Sequence, residues 1–189
     1  MSRMDPKDYD HRWIKSLKAP HRIVFDVQTL GAGVPLARAA NYFDTMRDEF
    51  GARPGDAQVV LSLHAGALAL AFDDGGWEKY QMGDRAGAAA RDPATGKAYL
   101  RNIFASEAPG DPYAAIAVPA QQRRGAIFLF CNNVLRNLTS SLARRRNESP
   151  EVVRAGLIAS FLPDVVLVPA VVAATVVAQE NGCSYALIA

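Results

Sequence analysis

The sequence is short of several things, and each shortage narrows what the chain can be. It has two cysteines, Cys131 and Cys183, in 189 residues. That is too few for a disulfide scaffold, and whether the two pair depends on the fold. Its three histidines, His11, His21 and His64, are scattered, and none stands near a cysteine at a zinc-like spacing. No metal site is expected. Neither sign of charge dominates: the formal net charge is +2. Nothing electrostatic therefore points to nucleic acid as a partner. The clusters Arg123-Arg124 and Arg144-Arg145-Arg146 read as solvated helix ends, where cations suit the helix dipole. Long hydrophobic runs are also missing. The nearest, residues 165–178, contains Pro169 and is better split into a strand and a helix, so no membrane span is expected. Residues 1–18 are polar and mixed in charge, with no apolar leader core. As it stands the chain is expected in the cytoplasm, or in the periplasm if an export signal has been removed.

What is present is a core-forming pattern. Half of the residues are hydrophobic and 21% are charged, the composition of a soluble globular domain. Residues 1–20 read as an N-terminal arm, with Trp13, Ile14 and Leu17 forming one apolar face of a short helix. Residues 21–189 read as one α/β domain. Strands are predicted at 22–27, 57–63, 126–130, 165–168 and 184–188, each a nearly unbroken apolar run.

Helices fall between the strands. One is predicted over 35–50, with Pro35 near its start and an inner stripe of Leu36, Ala39, Ala40, Phe43, Met46 and Phe50. Residues 65–72 and 77–80 read as short helical pieces. Residues 113–124 are predicted helical, interrupted or kinked at Pro119. A helix follows residue 131 and runs to about Arg146. Ser149-Pro150-Glu151 starts another, with a serine cap and proline at the first position. Pro169 opens the last, which Gly182 closes. Strands buried on both faces and alternating with helices predict a three-layer sandwich around a mostly parallel five-stranded sheet, flavodoxin-like in class. Residues 83–112 are irregular and rich in glycine and proline. A segment this long inside a compact domain is usually functional or mobile.

The strongest candidate for chemistry is Cys131. Residues 126–130 are apolar, and Val134, Leu135, Leu138 and Leu142 then follow at helical spacing. Cys131 thus stands where a strand hands over to a helix. The helix dipole there favours a thiolate. In open α/β sheets this is also the edge where ligands bind. The competing reading is a small buried hydrophobe, because free cysteine is among the most buried residue types.

The order of these pieces resembles the DsrE/DsrF-like family. The residues that carry the resemblance are Ile127-Phe128-Leu129-Phe130-Cys131-Asn132-Asn133, then Val166-Leu167-Val168-Pro169-Ala170, then Gln179-Glu180-Asn181-Gly182-Cys183-Ser184-Tyr185. Val59-Val60-Leu61 leading to His64 fits as well. The resemblance implies a flavodoxin-like sandwich that assembles as a homo-oligomer, often a trimer or hexamer. It also implies a sulfur-relay role, with Cys131 as a persulfide-forming thiol and a sulfur donor or acceptor protein as partner. The long insertion and the arm depart from the simpler members. The alternative function is a non-catalytic homo-oligomeric module that binds a small ligand, with Cys131 lining its pocket.

Other residues are candidates for the same rim. Asn132 and Asn133 read as helix caps, or as amide donors beside the sulfur. His64 follows the second strand, either to hold the thiolate or an anionic ligand or as a satisfied structural histidine. Asp26 and Gln28 end the first strand and point to the same rim. Gly31-Ala32-Gly33 lacks the third glycine of a dinucleotide loop, since Leu36 stands there. A flavin is suggested only by analogy of fold, and no cofactor is expected. Trp77, Tyr80, Asn102 and Phe104 form either a lid over the rim or anchors for the insertion. Cys183 reads as structural.

Overall fold

The computed structural model describes residues 9–188, so the first eight residues of the expected arm lie outside the described residues. The first half contains α1 (Arg12–Lys15), β1 (His21–Val27), α2 (Val34–Asp48), β2 (Ala57–Leu63), α3 (Asp74–Tyr80) and α4 (Met82–Arg85). The second half contains α5 (Val118–Arg123), β3 (Ala126–Cys131), α6 (Asn132–Arg146), α7 (Pro150–Ala159), β4 (Val165–Val168), α8 (Val171–Glu180) and β5 (Ser184–Ile188). The five strands form one all-parallel sheet in the order β4-β3-β2-β1-β5, the flavodoxin-like α/β sandwich expected from the pattern.

Strand order explains the unequal layers. From β1 to β4 each connection steps one strand sideways in the same direction. Right-handed crossovers then put all of those helices on one face. The connection from β4 to β5 leaps back across three strands, so α8 must cross the other face, over β1, β2 and β3. The side chains divide accordingly, alternating along each strand. Phe25, Val27, Leu61, Leu63, Phe128 and Phe130 enter the larger core on the α6 face. Val24, Val60, Leu129, Cys131 and Val168 face α8 and the arm, whose Trp13 and Leu17 are buried there. Phe72, Phe130 and Phe161 stack at ring separations of 4.7–5.5 Å in the larger core. Full burial of a ring such as Phe72 or Phe130 contributes about 1.5–3 kcal/mol.

A buried polar chain fixes α8 to the sheet. Thr175 Oγ1 lies 2.9 Å from Val171 O and 3.0 Å from Ser62 Oγ. Ser62 is fully buried, and its hydroxyl is satisfied within this group: it accepts from Thr175 Oγ1 and lies 3.4 Å from Val171 O as donor.

Several local expectations need correction. Phe50 lies beyond the end of α2 and is 71% exposed, so it is not part of the inner stripe. Residues Ala65–Ala71 form tight 3₁₀ turns rather than an α-helix. The segment 113–124 divides into a 3₁₀ turn and α5, because Pro119 fits only the first turn of a new helix. The last helix begins at Val171, after an extended Ala170, rather than at Pro169.

Candidate functional site

Two neighbouring strands lead away from the sheet to opposite faces. β3 runs into α6 on one face and β4 runs toward α8 on the other. Their carboxyl ends therefore border a crevice, the position at which open α/β sheets bind ligands. Cys131 ends β3 and pairs in register with Val168, the last residue of β4. The thiol is thus at the switch point of the sheet. It is also buried, at 5% exposure, in the apolar cluster with Leu129, Val168 and Val171.

Cys131 itself occupies the N-cap of α6, with extended backbone angles and no side-chain cap bond. The two asparagines are therefore first-turn residues, and the expected capping role does not hold for either. Asn132 is buried and bridges two distant parts of the chain. Its Nδ2 donates to Tyr9 Oη at 2.8 Å, and its Oδ1 accepts from Arg154 Nη2 at 2.8 Å. Tyr9 belongs to the arm and Arg154 to α7, so both elements meet at the start of α6. Asn133 is exposed.

Asp26, Gln28 and His64 come together as expected, on the α8 face. Gln28 Nε2 donates to Asp26 Oδ1 at 2.7 Å, and His64 Nε2 lies 3.0 Å from the same oxygen. The imidazole approach is not along the ring N–H direction, so it is an ion-pair contact when His64 is protonated rather than an aligned hydrogen bond. Tyr185 Oη donates to Asp26 Oδ2 at 3.1 Å. The Tyr185 phenol is pushed above its ordinary value, first by desolvation and then by its bond to the Asp26 carboxylate.

Register joins this cluster to the thiol. Leu63 of β2 pairs with Phe130 of β3, so the next residues, His64 and Cys131, sit on adjacent strand ends. His64 keeps extended backbone angles, and alternation puts both side chains on the α8 face. Asp26, His64 and Cys131 therefore stand on β1, on the end of β2 and on β3, in that lateral order.

No protein-family model matches the chain, and no curated protein or solved structure matches it either.

The remaining candidates resolve into structure. Trp77, Tyr80, Asn102 and Phe104 are all fully buried, which makes them anchors of the insertion rather than a lid. Trp77 Nε1 donates to Ala69 O at 2.8 Å, and Asn102 Nδ2 to Phe72 O at 2.7 Å. Phe104 also occupies the glycine loop. A Cβ on Gly33 would meet the Phe104 ring at 2.6 Å, and Gly33 has φ +86°. The loop thus seats an aromatic ring where a phosphate-binding loop would be open.

Cys183 is free and buried at the start of β5, at the opposite sheet edge, and burial pushes its thiol above the ordinary value. Arg146 donates to Glu148 and to Lys79 O, in keeping with a structural helix end. Among the described residues, no group of three or more His, Cys, Asp or Glu gathers as a metal site, and no helix is long and apolar enough to cross a membrane.

Tyr9, Arg154 and Tyr185 were not legible as site residues from sequence. Tyr185 faces Asp26 only because β5 lies beside β1, a neighbour relation that depends on strand order. Tyr9 and Arg154 reach Asn132 over 123 and 22 residues of chain, with no local pattern to signal either contact.

Proposed function

We propose that this chain is a DsrE-like protein that carries sulfane sulfur on Cys131. The observation that supports this most is the sequence of Asp26, His64 and Cys131 across three adjacent strand ends. An imidazole backed by a carboxylate is a suitable base for a neighbouring thiol. The thiolate of Cys131 attacks the outer sulfur of a donor persulfide, R–S–SH. A new S–S bond forms at Cys131, the donor's S–S bond breaks, and the donor leaves as a thiolate that takes up the proton. An acceptor thiolate then attacks the outer sulfur and releases Cys131 as thiolate. The sulfane sulfur passes on without any added oxidant or reductant.

Because Cys131 is 5% exposed, transfer requires Tyr9 and the arm to withdraw from the crevice. That same burial favours the second reading, a non-catalytic ligand-binding module whose pocket Cys131 only lines. Uptake of sulfane sulfur separates them: a carrier loses it in Cys131→Ser, whereas a binding module keeps its ligand affinity.

The proposal includes assembly into a homo-oligomer, a trimer or hexamer. Val172 and Val176 point outward from α8, and Tyr185 and Leu187 stand exposed on the same face of the edge strand β5. Residues 165–179 contain no charged side chain, which suits a covered surface. A sedimentation mass of one chain at micromolar concentration would exclude assembly.

A further inference from the structure

A second cavity, of about 310 Å³, lies on the opposite face of the sheet from the thiol. It is within the range of small-molecule sites, roughly 300–1,000 Å³. Its walls are the 3₁₀ segment after β2, helix α4 and the first half of α6. Leu68 and Phe72 line it from the first, Met82 from the second, and Val134 and Leu138 from the third. The floor is thus apolar and continuous with the larger core.

The polar side chains are few. Asn137 and Ser141 line the cavity from α6, and Arg85 lines it from the end of α4. Among the described residues no carboxylate pairs with Arg85. Its guanidinium is partly desolvated and feels the like charge of Arg145, and both hold its pKa below the ordinary value. No acidic residue lines the cavity. A cation in this state gains by meeting an anion, and a guanidinium fork meets a carboxylate with two parallel bonds.

Local backbone strain marks the same wall. Ala65, which also lines the cavity, has φ +38°, a conformation that non-glycine residues rarely adopt. Gly66 beside it leaves the wall without a side chain.

We propose that this cavity binds an amphipathic organic anion, with a single carboxylate on Arg85 and an unbranched apolar chain against Leu68, Phe72, Met82 and Leu138. A neutral molecule of the same shape leaves Arg85 without its partner. A cationic one is repelled by Arg85 and Arg145 together. The inference stands apart from the thiol reading, although Val134 touches both the cavity and the cluster that holds Cys131.

The test is calorimetric titration of the whole chain with octanoate, octanol and octylammonium. Wild type should bind octanoate at one saturable site, octanol at least tenfold more weakly, and octylammonium not at all. Arg85→Gln, on an exposed helix end, should weaken octanoate at least tenfold without changing the unfolding midpoint. Ser141→Phe, which fills the cavity from α6, should abolish binding. Cys131→Ser should bind octanoate as wild type does, so failure of the sulfur reading leaves this result intact. Absence of saturable octanoate binding, equal binding by Arg85→Gln, or octylammonium binding as well as octanoate would overturn the proposal.

Discussion

His64 Nε2 lies 3.0 Å from Asp26 Oδ1, and Gln28 and Tyr185 hold the same carboxylate by hydrogen bonds from two other directions. The carboxylate is thereby fixed beside His64, whose strand end neighbours that of Cys131. A positioned base contributes about 100- to 10,000-fold in rate. His64→Ala is expected to slow sulfur uptake at Cys131 by about 100-fold, and Asp26→Asn by less, because it removes the facing charge but leaves the ring. Initial rates with a sulfane donor check this. Equal rates in all three proteins would remove His64 from the chemistry.

Asn132 joins Tyr9 of the arm to Arg154 of α7. Asn132→Ala removes both bonds from a buried site. The expected cost is about 1–3 kcal/mol, read from denaturant unfolding. The same substitution should speed alkylation of Cys131 in the native state, since Tyr9 loses its tether. A destabilised variant with unchanged alkylation would show that the arm does not control access.

The Thr175–Ser62 contact predicts a non-additive pair. Thr175→Val removes the shorter of the two contacts of the fully buried Ser62 hydroxyl, leaving Val171 O at 3.4 Å, and should cost about 1 kcal/mol. Ser62→Ala in that background should cost little more, because the hydroxyl then keeps only its long contact to Val171 O. The double variant should therefore be more stable than the sum of the singles implies. Strict additivity would mean that the two hydroxyls do not depend on each other.

Cys183 predicts the alkaline limb of the stability curve. Burial holds its thiol above the ordinary value of 9.0, and the Arg22 charge opposes this less strongly. Below that ordinary value both folded and unfolded chains carry the proton, and the contribution is complete. As pH rises past it the unfolded chain ionises first, and the stabilisation is lost as pH climbs through the folded value. Denaturant midpoints measured across about pH 8–11 should fall for wild type and fall less steeply for Cys183→Ala. Equal slopes would mean that Cys183 titrates alike in both states.

Most of the fold was legible because the strands are short, apolar and bounded by turns. The ranges 57–63, 165–168 and 184–188 coincide with the observed strands, and Ser149 caps α7 through Val152 as its Ser-Pro-Glu start implies. The site was legible only in part. Asp26, Gln28, His64 and Cys131 could be assigned to one rim, because parallel strands end at one edge. Their lateral order could not be read, since nothing local says that β2 lies between β1 and β3. Asn132 looked like a cap because asparagine suits that position. Instead its amide serves Tyr9 and Arg154, partners that only the folded chain supplies. Phe104 illustrates the same limit: its place against Gly33 joins two segments about seventy residues apart in sequence.

The most direct test of the account is the intact mass of the native protein after incubation with a sulfane-sulfur donor, for wild type, Cys131→Ser and Cys183→Ser. The account predicts a gain of one sulfur, about 32 Da, on wild type and Cys183→Ser, reversed by reductant and absent from Cys131→Ser. No gain on wild type, together with a Cys131 that resists alkylation in the folded state, would contradict it and leave Cys131 as packing at the sheet's switch point.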